Sequence, residues 1–345
     1  MKTLKDFNFK NKRVLVRCDF NVPLDNKGNI LDDFRIKQSI ATVEYLIKRG
    51  AKVILMSHLG RPGGKVIERL RLTPVQTRIM EYLDVSVTKA PDCIGSEIEK
   101  YTKGLQAGEV LLLENLRFHK EEEKNDDEFS RALAKLGDIY IIDAFGSCHR
   151  NHASIVGVPQ YLPAGAGLLL EKEISALTSL LRPKRPLVAI IGGAKVETKI
   201  KLVDKLAEVA DFILIGGLVK KAIVGEKIQL KYPEKVIGPI DETGEGKDIG
   251  PKTIELFKEK ILQAKTVFFN GALGLVEKEE FACGTKEILN LLSLSKAFTV
   301  VGGGDMTGTV NKLGLIDKFN HVSTGGSAML AFLSGEKLPG LEALK

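Results

Sequence analysis

Charged and polar side chains recur just past short apolar runs in the first half of the chain. Arg17, Asp19 and Asn21 follow residues 14–16, and His58 and Arg61 follow residues 52–56. Arg117 and His119 come after residues 110–113, and Asp143, His149 and Arg150 close or follow residues 139–142. Arg35 stands at the start of a helical pattern. The planar guanidinium fork matches phosphate and carboxylate oxygens two at a time. Any one of these arginines alone reads as surface charge or a helix-end partner. Four past strand ends and one at a helix start read together as a site for a small, highly charged anion. His58, His119, His149 and His152 read as structural imidazoles. Neither a nucleophile–base pair nor metal-ligand spacing is apparent.

The second half uses glycine instead. Its apolar runs end in Gly192-Gly193-Ala194-Lys195, Gly216-Gly217, Asn270-Gly271-Ala272-Leu273-Gly274 and Gly302-Gly303-Gly304-Asp305, and Gly325-Gly326 opens the last helical stretch. Glycine lets a phosphate approach backbone N–H groups and the positive end of a helix. Lys195 and Lys199 are four apart and face one edge. Asp305 is placed to hold Mg²⁺. A single strand–Gly-Gly–helix junction is only a tight turn; five in one half point to phosphate binding. Neither the P-loop pattern nor G-x-G-x-x-G occurs. An arginine-lined half and a glycine-rich half imply two anions with a phosphoryl group passing between them. Such a step needs alignment and charge neutralisation more than a general base.

Elements of a particular kind must position these residues. The apolar runs at 14–17, 52–56, 110–113, 139–142, 187–191, 212–215, 266–269 and 298–301 are continuous rather than alternating, as in strands buried on both faces of a parallel sheet. Between them, Ile36, Ile40, Val43 and Ile47 recur at helical spacing until Gly50. The expected fold is α/β, with two doubly wound parallel-sheet lobes joined by a hinge helix. Prolines on both sides of one leucine-rich helix set the boundaries: a first lobe over 1–165 with 338–345 returning to it, a linking helix over 166–182, and a second lobe over 183–337.

A chain of 345 residues suits two domains, each able to bury a core. Nothing reads as a membrane span or a secretory signal, and the cytoplasm is the expected compartment. Cys18, Cys93, Cys148 and Cys283 read as small core residues, and Glu121-Glu122-Glu123 as a solvated surface run. A net charge of +7 fits nucleic acid or small phosphates. Six tyrosines, no tryptophan and no long basic block favour the small phosphates over nucleic acid.

Residues 17–23, 57–62, 113–118, 143–154, 192–196, 248–253, 270–277, 302–305 and 321–326 resemble the corresponding stretches of the phosphoglycerate kinase family, in the same order and across nearly the whole chain. The resemblance implies reversible phosphoryl transfer between 1,3-bisphosphoglycerate and ADP, giving 3-phosphoglycerate and ATP, in glycolysis and gluconeogenesis. It implies Mg²⁺, a monomer, and lobes that close on a hinge. Arg17, Asp19, Asn21, Arg35, His58, Arg61, Arg117 and Arg150 would hold the phosphoglycerate. Gly193, Lys195, Lys199, Gly217, Asn270, Glu277, Gly303, Gly304, Asp305, Gly325 and Gly326 would hold the nucleotide. Arg35 and Lys195 would be the catalytic pair, Glu277 would meet the ribose, and Asp305 the metal.

Departures from the family gather in the nucleotide half. Thr198, Met306, Ser327 and Ala272 stand where other residues are usual, and the stretch between 218 and 248 is short. They raise the alternative of a non-catalytic phosphoglycerate-binding homologue with a degraded nucleotide site. A weakly enclosed base with intact phosphate contacts is the matching expectation.

Overall fold

The computed structural model describes residues 1–193 and 196–345, with all side chains of these except Val196 and Asp305. The chain divides into two units, residues 1–172 with 337–345 and residues 173–336.

The first unit is built on a six-stranded sheet of β1 (Arg13–Cys18), β2 (Lys52–Met56), β3 (Val87–Lys89), β4 (Val110–Leu112), β5 (Ile139–Asp143) and β6 (Ala164–Ala166), in the order β3-β4-β2-β1-β5-β6. Every pairing is parallel. The continuous apolar runs are explained by burial on both faces: Val14, Leu15, Val16, Val53, Ile54 and Leu55 are fully buried. Parallel register puts Arg17 opposite both Met56 and Ile142, so the three central strands end together and their following turns share one edge. The helix Phe34–Lys48 buries Ile36, Val43 and Leu46 against this sheet's core. The C-terminal turn Pro339–Glu342 packs in the same unit, where Gly340 N donates to Cys148 O at 2.9 Å.

The second unit carries β7 (Leu187–Ile191), β8 (Phe212–Ile215), β9 (Val236–Ile237), a hairpin pair β10 (Glu242–Thr243) and β11 (Asp248–Ile249), then β12 (Thr266–Asn270), β13 (Phe298–Gly302) and β14 (His321–Ser323). Its main sheet is also six-stranded and all parallel, in the order β14-β13-β12-β7-β8-β9. The short stretch after Gly217 folds as the helix Gly217–Gly225, a 3-10 turn and the two-residue edge strand β9. The helix Leu168–Leu181 starts in the first unit and runs into the second.

The α/β fold of two doubly wound parallel sheets is therefore the one expected. Two smaller expectations are corrected. Glu122 is fully buried, not solvated, because it faces two backbone and side-chain donors of Ser154. Cys283 is exposed at the start of the helix Cys283–Ser293, whereas the other three thiols are buried. Among the described residues no helix is long and apolar enough to cross a membrane.

Candidate functional site

In the first unit, Arg17 lies inside β1 rather than after it, and is one of the largest fully buried side chains in the protein. Its guanidinium donates to Ser154 Oγ at 2.8 Å and to Cys18 O, and one nitrogen lies 3.1 Å from His58 Nδ1. Ser154 in turn donates from N and Oγ to the Glu122 carboxylate at 2.9 and 2.6 Å, and that carboxylate lies 3.9 Å from Arg17. A buried guanidinium is tolerated because each of its directions meets an acceptor. Burial pushes the Glu122 carboxyl upward, against the pull of Arg17.

The loop after β1 is held by Ser57, whose Oγ accepts from Phe20 N at 2.8 Å and donates to Cys18 O at 2.9 Å. This presents Asp19, whose Oδ2 lies 3.2 Å from the Arg35 guanidinium. Arg35 also donates to Asn21 O at 3.1 Å, and Asn21 Oδ1 accepts from Gly60 N at 2.8 Å. Arg117 donates to Gly60 O at 2.7 Å; its Nε is 3.1 Å from Glu123 but off the N–H axis. Asn115 fixes that turn by accepting from Arg117 N and donating to Leu59 O. Arg150 is half-buried among Asp19, Arg17, Arg61 and Arg35, and burial lowers its affinity for a proton. Arg61 is exposed, with no ion pair among the described residues.

All eight expected residues of this half thus converge through direct contacts or mutual electrostatics. The centre is positive. Burial, then Arg17, Arg150 and Arg35, hold His58 well below the usual histidine range, and its Nε2 is buried without a partner. His152 is pushed down to about 4 by burial and Arg150. Neutral imidazoles amid guanidinium groups leave room for an anion to supply the missing negative charge.

In the second unit the glycine turns interlock. Gly193 N donates to Ala272 O at 2.8 Å, and a Cβ on Gly192 would sit 2.1 Å from that oxygen. Gly271 has φ +80, and a Cβ there would approach Gly192 O at 2.3 Å. Only glycine lets the ends of β7 and β12 approach this closely. Lys199 is nearly buried and donates to Asn270 Oδ1, while Asn270 Nδ2 donates to Gly302 O at 3.0 Å. Gly303, at φ +114, precedes the helix Gly304–Lys312 and faces Asn270. Lys199, Asn270 and Gly303 therefore form one group.

A second group surrounds a cavity of about 260 Å³, lined by Gly193, Gly217, Leu218, Leu273, Val276 and the exposed Glu277 among others. Gly325 and Gly326 sit in the turn after β14, where Gly325 N donates to Ser323 Oγ at 3.0 Å. Lys195 lies outside the described residues, as does the Asp305 side chain, whose backbone opens the helix after β13. Met306 is fully buried there, and Leu218 lines the cavity while Val219 is buried.

Three further residues were not anticipated. Glu122 and Ser154 support Arg17 from beneath. Glu173 is fully buried and accepts from His321 Nε2, Ser323 Oγ, and both N and Oγ1 of Thr324, which fixes the turn leading to Gly325. The stretches 143–154 and 321–326 mark the partners, but no local signal marks either glutamate.

The family pattern described as phosphoglycerate kinase matches residues 4–231 and 221–336. Its two pieces meet where the second half is short. The phosphoglycerate kinase of Dictyoglomus turgidum is 44% identical, covering 99% of this chain and 98% of its own length. That of Aquifex aeolicus is 43% identical over 98% of this chain and 96% of its own. These alignments run over 388 and 384 positions against a chain of 345 residues, so the relatives carry residues that this chain lacks. The solved structure of the Pyrococcus horikoshii phosphoglycerate kinase superposes with a TM-score of 0.89 at 33% identity, covering 100% of this chain and 98% of that one. The chain belongs to the phosphoglycerate kinase family and is a phosphotransferase.

Proposed function

We propose that this chain moves a phosphoryl group reversibly between 1,3-bisphosphoglycerate and ADP, yielding 3-phosphoglycerate and ATP, as a cytoplasmic monomer in glycolysis and gluconeogenesis. The convergence of Arg17, Arg35, His58, Arg61, Arg117 and Arg150 on one strand edge carries the reading. Residues 1–165 with 338–345 form the phosphoglycerate lobe, 166–182 the link, and 183–337 the nucleotide lobe.

Asp19 and Asn21 orient Arg35, which reaches the transferring group, Arg150 neutralises the acid's charge, and the sealed Arg17 adds positive potential from beneath. In the other lobe, backbone N–H groups of Gly303, Gly304 and Gly326 meet phosphate oxygens, helped by Lys195, Lys199 and Asn270, while Gly193 and Gly325, whose N–H groups are bonded within the protein, let the phosphates approach their turns. Gly217 and Glu277 flank the nucleoside. Asp305 would hold Mg²⁺, a hard cation that a carboxylate oxygen suits. Bound there, the ion would supply charge neutralisation for the phosphates. No residue is needed as a general base, since the acceptor carboxylate and the ADP phosphate are already ionised at neutral pH.

The direct test is a coupled assay with 3-phosphoglycerate, ATP and Mg²⁺. Turnover that disappears in Arg35→Ala is expected. Absence of turnover at saturating substrates would overturn the catalytic reading in favour of a binding protein.

A further inference from the structure

Asp92, Cys93 and His119 take no part in the phosphoglycerate and nucleotide sites, yet the fold gathers them. A carboxylate oxygen of Asp92, Sγ of Cys93 and a ring nitrogen of His119 all lie within 4.8 Å of one another, and no other such group of three occurs among the described residues. Asp92 follows β3, and His119 follows the turn Leu116–Phe118 beyond β4; β3 and β4 are neighbours, so the pairing of two strands brings the donors together.

The donors are held in place. His119 Nε2 is 2.7 Å from Asp92 Oδ1, and Cys93 N donates to the same oxygen at 2.7 Å. The backbone oxygen of Asp92 accepts from Glu114 N at 3.3 Å. The Phe129 ring lies against the imidazole, with centroids 5.3 Å apart. The thiol is fully buried, while the Asp92 and His119 side chains are 49% and 25% exposed. A soft donor thus forms the floor and two harder donors the mouth. Glu121 near His119 and Glu122 near Cys93 add negative potential. A hydrogen-bonded histidine–aspartate pair has no need of a buried thiol within 4.8 Å; a borderline-soft cation does.

We propose that Asp92, Cys93 and His119 bind one thiophilic divalent cation of the zinc class, with water in the fourth position. Bonds of about 2.1 Å in tetrahedral geometry require the nitrogen–oxygen separation to open to about 3.4 Å. The partly exposed imidazole can swing outward by that amount. Binding releases the thiol proton, and the proton shared by His119 and Asp92, to solvent. The ion ties the segment after β3 to the turn that carries Arg117.

Co²⁺ is the probe, added to the full chain carrying Cys283→Ser so that the exposed thiol does not compete. One equivalent is expected to bind with a thiolate-to-cobalt charge-transfer band in the near ultraviolet, and Zn²⁺ should displace it. His119→Gln should weaken binding at least tenfold, and Cys93→Ala should abolish the band. Circular dichroism confirms folding, and Asp92→Asn replaces Cys93→Ala if the latter does not fold. A full chain with no charge-transfer band, or a band unchanged in His119→Gln, would overturn the proposal.

Discussion

Arginines that look equivalent in the sequence occupy different environments. Arg17 is sealed beneath the site by Ser154, His58 and Glu122, whereas Arg35 and Arg150 remain partly open to solvent beside Asp19. The open ones are placed to exchange water for ligand. Arg35→Ala and Arg150→Ala should each remove a charge-assisted contact, costing on the order of 1.5–3 kcal/mol of 3-phosphoglycerate affinity. Titration calorimetry measures this, and unchanged affinity in both variants would move the ligand elsewhere. Glu122 answers to a different measurement. Glu122→Ala leaves the Ser154 donors and the Arg17 guanidinium without their carboxylate, so unfolding free energy should drop by about 3–5 kcal/mol in urea denaturation. Glu122→Gln, which keeps an acceptor for Ser154 N, should lose less; equal losses would mean that charge rather than hydrogen bonding governs this position.

At the scale of elements, the helix Leu168–Leu181 depends on the last residue of β5. Asp143 Oδ1 accepts from Leu169 N at 2.9 Å and Leu170 N at 3.3 Å, while Oδ2 is buried without a hydrogen bond. Burial pushes this carboxyl from 3.8 up to about 7. Between those values the folded chain holds a proton that the unfolded chain releases. Asp143 therefore favours folding on the acid side, and that contribution is lost as pH rises towards about 7. Relative to Asp143→Asn, the parent protein should lose stability by on the order of 1.4 kcal/mol per pH unit from about 4 to about 7. A flat difference across that range would mean that Asp143 is ionised throughout.

A cavity lies beside Gly217. Its walls combine apolar Leu218, Leu273 and Val276 with the surface charges Lys221 and Lys247, and the segment that follows is reduced to a helix, a 3-10 turn and a two-residue strand. Apolar walls grip a purine face but read its edge poorly. ADP and GDP should therefore differ by less than about a hundredfold in dissociation constant, roughly 2.7 kcal/mol, with Mg²⁺ strengthening both. A larger preference for ADP would reveal a well-formed adenine pocket.

Over the whole molecule, a net charge of +7 makes encounter with an anionic substrate an electrostatic matter. Exposed Arg61 and half-open Arg35 and Arg150 project their charge into solvent, where salt screens it within about 8–10 Å at physiological strength. Raising ionic strength should increase KM for 3-phosphoglycerate well before it lowers kcat. Steady-state kinetics from low to high KCl would show this, and a KM indifferent to salt would assign recognition to buried contacts alone.

The amino-acid pattern dictates the two parallel sheets, because strands buried on both faces must be continuously apolar, and such runs end where the strands end. It also determined the glycine turns, since only a residue without Cβ fits between Gly192, Gly271 and Ala272. Apart from β4, the two- and three-residue strands stayed hidden: β6 is Ala-Gly-Ala, and β9 sits at the sheet edge, so neither carries a run long enough to read. Tertiary structure alone decided which charges are buried. Glu122 meets Ser154 across 32 residues, and Glu173 meets His321 across 148, so nothing beside either glutamate distinguishes it from a surface carboxylate. The same holds for Asp92, Cys93 and His119, which only the pairing of β3 with β4 brings together. Periodicity reports an element's own faces; burial of a charge depends on partners that other elements deliver, and strand order sets which elements those are.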